Sequence, residues 1–150
     1  MPVDLVLELG SGLAPYRNAK AEVIHIDRLA LPDVEIVCDL RAGIPFRTNV
    51  FDEVRATDII EHILDVLRLM EEIHRVMRSG ALLHIRTTYW ESKNAYTDPS
   101  HFHFFTEHSF DYFAPDTEFG RKYAFYTKAK FRILSQKLDR QEQVFLLQKL

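Results

Sequence analysis

Four polar clusters in the first half of this 150-residue chain each follow a short apolar run. Glu8-Leu9-Gly10-Ser11-Gly12 follows the first run, Asp27 the second, Asp39 the third, and Asp58 with Glu61-His62 the fourth. Glycines at such a place let the backbone approach a ligand more closely than a side chain would allow. An acidic residue ending the second run is placed to accept two hydrogen bonds from a ribose diol. These are the residue types of a nucleoside-binding crevice. A dinucleotide fingerprint needs a third glycine, Gly-x-Gly-x-x-Gly, opening a helix that faces a pyrophosphate. Pro15 stands at that position, and Glu8 would set a negative charge beside the diphosphate. A ligand with a positive group suits the cluster better, which leaves an NAD-dependent dehydrogenase the weakest reading.

A second set of candidates lies further on. Asp98, His101 and His103 invite a metal reading. A closed zinc site takes about four ligands, and the one cysteine, Cys38, is remote, so no metal is expected. His101 or His103 is instead a candidate general base, since imidazole titrates near neutrality, and His62 is a third. Glu61-His62 reads first as a pair holding a loop by hydrogen bonds and second as part of a pocket. His25 and His84 fall inside apolar runs and are expected to be satisfied, neutral histidines. His74 and Arg75 belong to a helical pattern, where solvation or packing explains them. Asp52 is expected to cap the turn into its strand.

The elements that must position these residues follow from the apolar pattern. Val3 to Leu9, Glu22 to Ile26, Val34 to Cys38, Glu53 to Ala56 and residues 81–88 are short apolar runs bounded by turn residues, which predicts buried strands. Such runs suit a parallel sheet covered by helices. Leu64, Leu67, Met70, Ile73, Val76 and Met77 recur at three- and four-residue steps and predict a helix from Leu64 to Arg78, ended by Ser79-Gly80. Glu71 and Arg75 are spaced for an i,i+4 pair on that helix. Thr106 to Phe113 reads as a shorter helix with Thr106 as N-cap. Phe131 to Leu138 and Gln143 to Leu150, around the polar turn Asp139-Arg140-Gln141-Glu142, predict a closing antiparallel hairpin. The whole is an α/β fold, with ligands expected at the carboxyl ends of the strands.

Composition bounds the function. The chain is 47% hydrophobic and 27% charged, with 5 Gly and 6 Pro, which is the make-up of one globular domain and not of a disordered or coiled-coil chain. A net charge of −3 gives no basic field for a polyanion, so duplex nucleic acid is disfavoured. The longest apolar run, Val144 to Leu147, is far short of the ~20 residues that cross a bilayer. One cysteine and an N-terminus without a basic segment fit a cytoplasmic setting. Thirteen of the 18 aromatic residues fall between Tyr89 and Tyr126. This predicts three roles within residues 1–150: a cofactor-binding half over 1–88, an aromatic wall for an acceptor over 89–126, and a closing hairpin over 127–150.

The motifs resemble those of the class I S-adenosylmethionine-dependent methyltransferases, of the compact methyltransferase-domain type. The resemblance rests on Leu7 to Gly12, His25-Ile26-Asp27, Asp39-Leu40 followed by Ile44-Pro45-Phe46, and Phe51 to Val54. Glu61-His62-Ile63, Glu72 to Gly80, Asp98 to His101 and Phe104-Phe105-Thr106 extend it, in matching order and spacing, over about residues 5 to 113. Where the family usually has Gly-Gly, this chain has Gly80-Ala81. The resemblance implies a Rossmann-like, mostly parallel seven-stranded sheet with a C-terminal antiparallel hairpin, helices on both faces and reduced N-terminal helices. It also implies S-adenosylmethionine as cofactor. Gly10 and Gly12, with Ser11 between them, would then face its methionine part and Glu8 its amino group. Asp27 would take the ribose hydroxyls with Arg28 beside it, Asp39 and Leu40 would flank the adenine, and Thr57 and Asp58 would line the methionine side. The implied activity is methyl transfer to an O or N atom of an unidentified acceptor, small or macromolecular. The alternative is a noncatalytic module of the same fold that binds a partner protein. The edge of the hairpin leaves an oligomer open.

Overall fold

The computed structural model describes residues 4–150; Val3, where the first apolar run begins, lies outside them. Seven strands form one sheet: β1 Asp4–Leu9, β2 Ala21–Asp27, β3 Ile36–Val37, β4 Phe51–Thr57, β5 Met77–Thr88, β6 Phe131–Leu138 and β7 Glu142–Lys149. Their order across the sheet is β3-β2-β1-β4-β5-β7-β6. The five strands from β3 to β5 run parallel, with Leu9 level with Ile26 on one side and Ala56 on the other. β7 enters antiparallel to β5, and β6 closes the sheet antiparallel to β7. The sequence-based expectation of a mostly parallel seven-stranded sheet with a terminal hairpin is met.

The apolar runs explain why these strands lie inside. Leu7, Leu9, Ile26, Val54, Ala56, Leu83 and Ile85 are fully buried. Each such side chain removed from water contributes roughly 1.5–3 kcal/mol if apolar and large. Reversal of the strand order at β1 and β4 opens a crevice at their carboxyl ends, which is where an open α/β sheet takes its ligands.

The main helix is shorter than its periodicity predicts. α1 runs Val66–Val76, opened by Asp65, whose carboxylate accepts from the Arg68 amide at 3.0 Å. Its buried stripe is Leu69, Met70, Ile73 and Val76. Met77 is already extended and pairs with Phe51, so β5 starts at once and Ser79-Gly80 falls inside a strand, where Gly80 has φ 78°. Strand pairing overrides the helical spacing of Met77. Arg75 pairs with Glu72, not Glu71, and donates to the carbonyls of Ile44 and Phe46. Glu71 instead accepts from the Thr127 hydroxyl at 2.8 Å. Asp52 does not cap a turn: it accepts from the Leu5 amide and pairs with Arg78.

The aromatic segment folds differently from the expected helix over 106–113. The Thr106 amide donates to Ser109 Oγ, a turn follows, and only Asp111–Phe113 makes a 3₁₀ turn. Phe105, Phe110 and Phe113 bury their rings in the core, with Phe110 edge-on to Phe145 at 4.8 Å. That packing sets the path of the chain there. Two short helices were not foreseen: α2 Lys93–Thr97, capped by Ser92, and α3 Glu118–Lys122, capped by Thr117. Their serine and threonine caps were the available signal. Between β1 and β2 the chain turns without forming a helix.

Candidate active site

The crevice at the ends of β1, β2 and β4 holds a cavity of about 500 Å³. Gly10 forms its floor with φ 61°, a conformation that favours glycine, and a Cβ there would lie 2.7 Å from the Ile59 side chain. The amides of Gly10 and Ser11 both donate to the Ile26 carbonyl, which fastens the glycine loop to β2. Asp27 then holds the loop from the other side. One carboxylate oxygen accepts from the Gly12 amide at 3.0 Å and the other from the Leu29 amide at 3.0 Å. Each oxygen keeps a second lone pair for a ligand hydroxyl.

Further along the cavity stand Arg28, Asp39, Leu40 and Arg41. Asp39 opens a 3₁₀ turn at Leu40–Ala42, and its carboxyl is held down to about 2 by the Arg41 guanidinium and backbone amide. Ile26, Ile59 and Ile63 supply apolar wall. Acceptors alternate with apolar surface here, and one of the two guanidiniums is already taken by Asp39. This donor set fits a nucleoside with a positive group better than a diphosphate.

Four expected cofactor residues, Glu8, Ser11, Gly12 and Thr57, stand apart from this lining. Glu8 is buried, accepts from the Tyr16 amide at 2.9 Å and meets His25 Nδ1 at 2.7 Å, so it braces the loop from behind. Ser11 is buried with its hydroxyl unpartnered. Gly12 meets nothing within 4 Å of where a Cβ would stand and serves through its amide. Thr57 ends β4 without lining the cavity, and Asp58 after it does. Asp58 has φ 52° and is ion-paired with Arg86 on β5. A non-glycine residue in the left-handed region at a cleft marks stored strain.

A second cavity of about 510 Å³ adjoins the first, and Asp58 and His62 line both. Its other walls come from α2 and its exit, with Asn94, Thr97, Asp98 and His101, and from Gln141 and Glu142 at the start of β7. The aromatic segment thus contributes its polar residues to this cavity; of its rings, Phe102 lines the first cavity, Phe105, Phe110 and Phe113 are buried in the core, and others stack on one another, as in Tyr112 with Phe119 and Tyr126. No aromatic ring lines the second cavity, because Phe105, Phe110 and Phe113 are buried against the sheet.

The three candidate bases part company. His62 and His101 are edge-on with ring centroids 4.6 Å apart. His103 turns away, its Nε2 at 2.8 Å from the Leu64 carbonyl, and lines neither cavity. Glu61, read from sequence as half of a loop-holding pair, does hold a loop, since its carbonyl accepts from the Phe102 amide. Its carboxyl is a surprise: it is 1% exposed, lines the second cavity, and has an unpartnered Oε2. Burial pushes that carboxyl above the usual carboxylate range, and Asp58 adds to the effect. The Thr87 hydroxyl is close enough to weaken it but falls outside hydrogen-bond geometry.

The strand order and the crevice at the glycine loop define a class, the Rossmann-like sheet closed by an antiparallel hairpin that methyltransferases use. Residues 9–85, more than half of the chain, match the model of the methyltransferase domain, and the chain belongs to that family. Among solved structures, a SAM-dependent methyltransferase from Aquifex aeolicus is similar with a TM-score of 0.69 at 18% identity, over 98% of this chain and 82% of that one. The PH0226 protein from Pyrococcus horikoshii OT3 is similar with a TM-score of 0.70 at 14% identity, over 99% and 83%. The [4+2]-cyclase SpnF has a TM-score of 0.69 at 12% identity, over 97% and 74%, so this fold also carries other chemistry. No curated protein matches the sequence. No helix among the described residues is long and apolar enough to cross a membrane.

Proposed function

We propose that the chain binds S-adenosylmethionine in the first cavity and directs its methyl group to an oxygen or nitrogen of an acceptor seated in the second. The observation that carries this reading is the meeting of the two cavities at Asp58 and His62. Bound there, the cofactor supplies a methyl group on a positive sulfur, already activated for in-line displacement. The protein's own work is mostly alignment, since holding two reactants in line replaces a bimolecular encounter.

Gly10 keeps the floor of the first cavity low enough for the methionine part, Asp27 offers its two remaining lone pairs to the ribose, and Leu40 with Ile26 covers the base. With the cofactor held by Gly10, Asp27 and Leu40, an acceptor lone pair would form the bond to the methyl carbon while the pair of the carbon–sulfur bond returned to sulfur. The acceptor's proton is released on the side where His62, Asp98 and His101 stand. Asn94, Thr97 and Gln141 make that side a hydrogen-bonding wall, which suits a polyhydroxylated acceptor over an apolar one. Glu61 and Asp98 oppose an anionic one.

Isothermal titration with S-adenosylmethionine and its demethylated product tests the first half, with micromolar binding expected. Labelled methyl transfer to fractionated metabolite pools tests the second. No heat and no thermal shift at millimolar ligand would overturn the reading; binding without a labelled product in any pool would favour the noncatalytic module.

A further inference from the structure

His62, Asp98 and His101 each bring one ligand atom within 4.8 Å of the others; all three line the second cavity, and His62 also lines the first. We infer that these three residues bind a divalent first-row transition ion, and that the acceptor is an oxygen compound able to chelate it, such as a vicinal diol or hydroxy acid. The acceptor assignment rests on the methyl-transfer reading; the metal site does not.

The tautomers of both imidazoles are set by their neighbours. His101 Nδ1 lies 2.8 Å from the Ala95 carbonyl, which can only accept, so Nδ1 carries the proton and Nε2 its lone pair. That Nε2 lies 3.9 Å from Asp98 Oδ2, and the His101 side chain is only 6% exposed. Ser100 donates its hydroxyl to Asp98 Oδ1 at 2.6 Å, which leaves its oxygen to accept from His62 Nδ1 at 2.9 Å. His62 therefore also presents an Nε2 lone pair. Metal-binding histidines are commonly oriented this way, with the second ring nitrogen donating to a carbonyl or a carboxylate-linked group. An imidazole pair with both lone pairs free beside a carboxylate has no protein donor to satisfy it.

The scaffold is fixed before any ion arrives. Asp98 caps the end of α2, the His101 amide donates back to its carbonyl, and the Phe102 amide donates to the Glu61 carbonyl at 2.8 Å. Glu61 supplies the independent sign of a ligand. Its carboxyl is 1% exposed, lines the same cavity, and has a buried Oε2 without a partner. The Thr87 hydroxyl lies near but outside hydrogen-bond geometry, and a buried carboxylate oxygen left so is unfavourable until a ligand or its water reaches it. Asp58 and Glu142 also line the cavity, and Arg86 pairs with both, so it is these two carboxylates that are held by a cation. Asp98 has no lysine or arginine partner among the described residues and faces His101 instead.

The set read from sequence, Asp98 with His101 and His103, is thus not the one assembled: His62 takes the place of His103. Two imidazole nitrogens and a carboxylate suit zinc, cobalt, nickel, manganese or iron better than calcium. Three protein ligands leave open positions, as metal sites that take substrate do. A chelating acceptor would fill them from the polar cavity. The ion keeps its oxidation state, and the acceptor hydroxyl, made more acidic by it, gives its proton to water at the cavity mouth.

The test uses the full chain after dialysis against a chelator, titrated with Co2+ or Mn2+ alone. One equivalent is expected to bind, with visible absorption from Co2+ and broadening of the Mn2+ resonance. His101→Ala and Asp98→Asn should each weaken binding at least tenfold, with circular dichroism showing that the variants fold. His108→Ala, which alters a separate pair with Asp111, should leave it unchanged. If Co2+ binding is absent below ~1 mM, or is indifferent to the substitutions at His101 and Asp98, the site is overturned. S-adenosylmethionine titrated into the same preparations reads the cofactor cleft separately, because His101 does not line it.

Discussion

Asp58, in the left-handed region at φ 52°, is ion-paired with Arg86, which lies on the neighbouring strand. The Asp58 amide also donates to the Arg86 carbonyl at 2.9 Å, so backbone and side chain hold the strained residue at both ends. Its carboxylate thereby reaches the wall between the two cavities.

This relationship separates strain from charge. Asn tolerates the left-handed region and Ala does not, a difference of roughly 1–2 kcal/mol. Asp58→Asn should stay close to the parent in stability and Asp58→Ala should fall by about that amount, as read by urea unfolding. Both should weaken cofactor binding, by similar factors, because both lose the carboxylate.

Gly10→Ala should be more damaging than its position on the surface of a loop suggests. The new Cβ would stand 2.7 Å from Ile59 at a positive φ. Overpacking of this kind costs typically 1–3 kcal/mol. The double variant with Ile59→Ala should recover part of the melting temperature but not the cofactor affinity, since the left-handed backbone remains disfavoured.

Asp27→Asn should lower affinity for S-adenosylmethionine by roughly 10- to 100-fold, on the scale of 1.5–3 kcal/mol for a hydrogen bond to a charged group. One of its two backbone partners, Gly12 or Leu29, also loses its acceptor, so a small loss of stability should accompany it. Equal affinity in titration calorimetry would remove the ribose from this position.

Gly120→Ala should destabilise the fold without touching either cavity. A Cβ at residue 120 would lie 1.8 Å from the Ala114 carbonyl oxygen. Because that atom is backbone, α3 must move away from the turn at Asp111–Phe113. A lowered melting temperature with unchanged cofactor affinity per folded molecule is the expected pair of results.

His74 gives a pH dependence with a definite sign. Burial lowers its folded-state pKa, the nearby Lys149 adds to this, and the unfolded value is 6.5. The neutral ring is favoured in the fold, so its contribution is complete above 6.5 and is lost as pH falls toward the lowered value. His84, lowered first by burial, acts in the same direction. Melting temperature should therefore fall on acidification from pH 7 to pH 5, and His74→Gln should flatten that slope.

The parallel core was legible because its strands are continuous apolar runs that end at glycine or aspartate. Gly10, Asp27, Asp39, Leu40 and Asp58 could be placed together because strand ends in such a sheet converge. What the sequence does not show of Glu8 is its bracing role: the loop needs a carboxylate behind it, for the Tyr16 amide and His25, as well as acceptors in front. The path of the aromatic segment was not legible, because composition shows how many rings there are and not which way they face. His62 and His101 are 39 positions apart, and their loops are brought together by long-range bonds: the Phe102 amide to the Glu61 carbonyl, His62 to Ser100 and His103 to the Leu64 carbonyl. No local pattern encodes that contact.

The shared wall has an evolutionary consequence. A change at Asp58 or His62 alters two sites at once, whereas Asn94, Thr97 and Gln141 border only the second cavity. Selection can therefore exchange those three side chains, and with them the preferred acceptor, while leaving the cofactor cleft untouched. The short helix α2 and the start of β7 form the part of this molecule free to diverge, and related chains with new acceptors should differ there first.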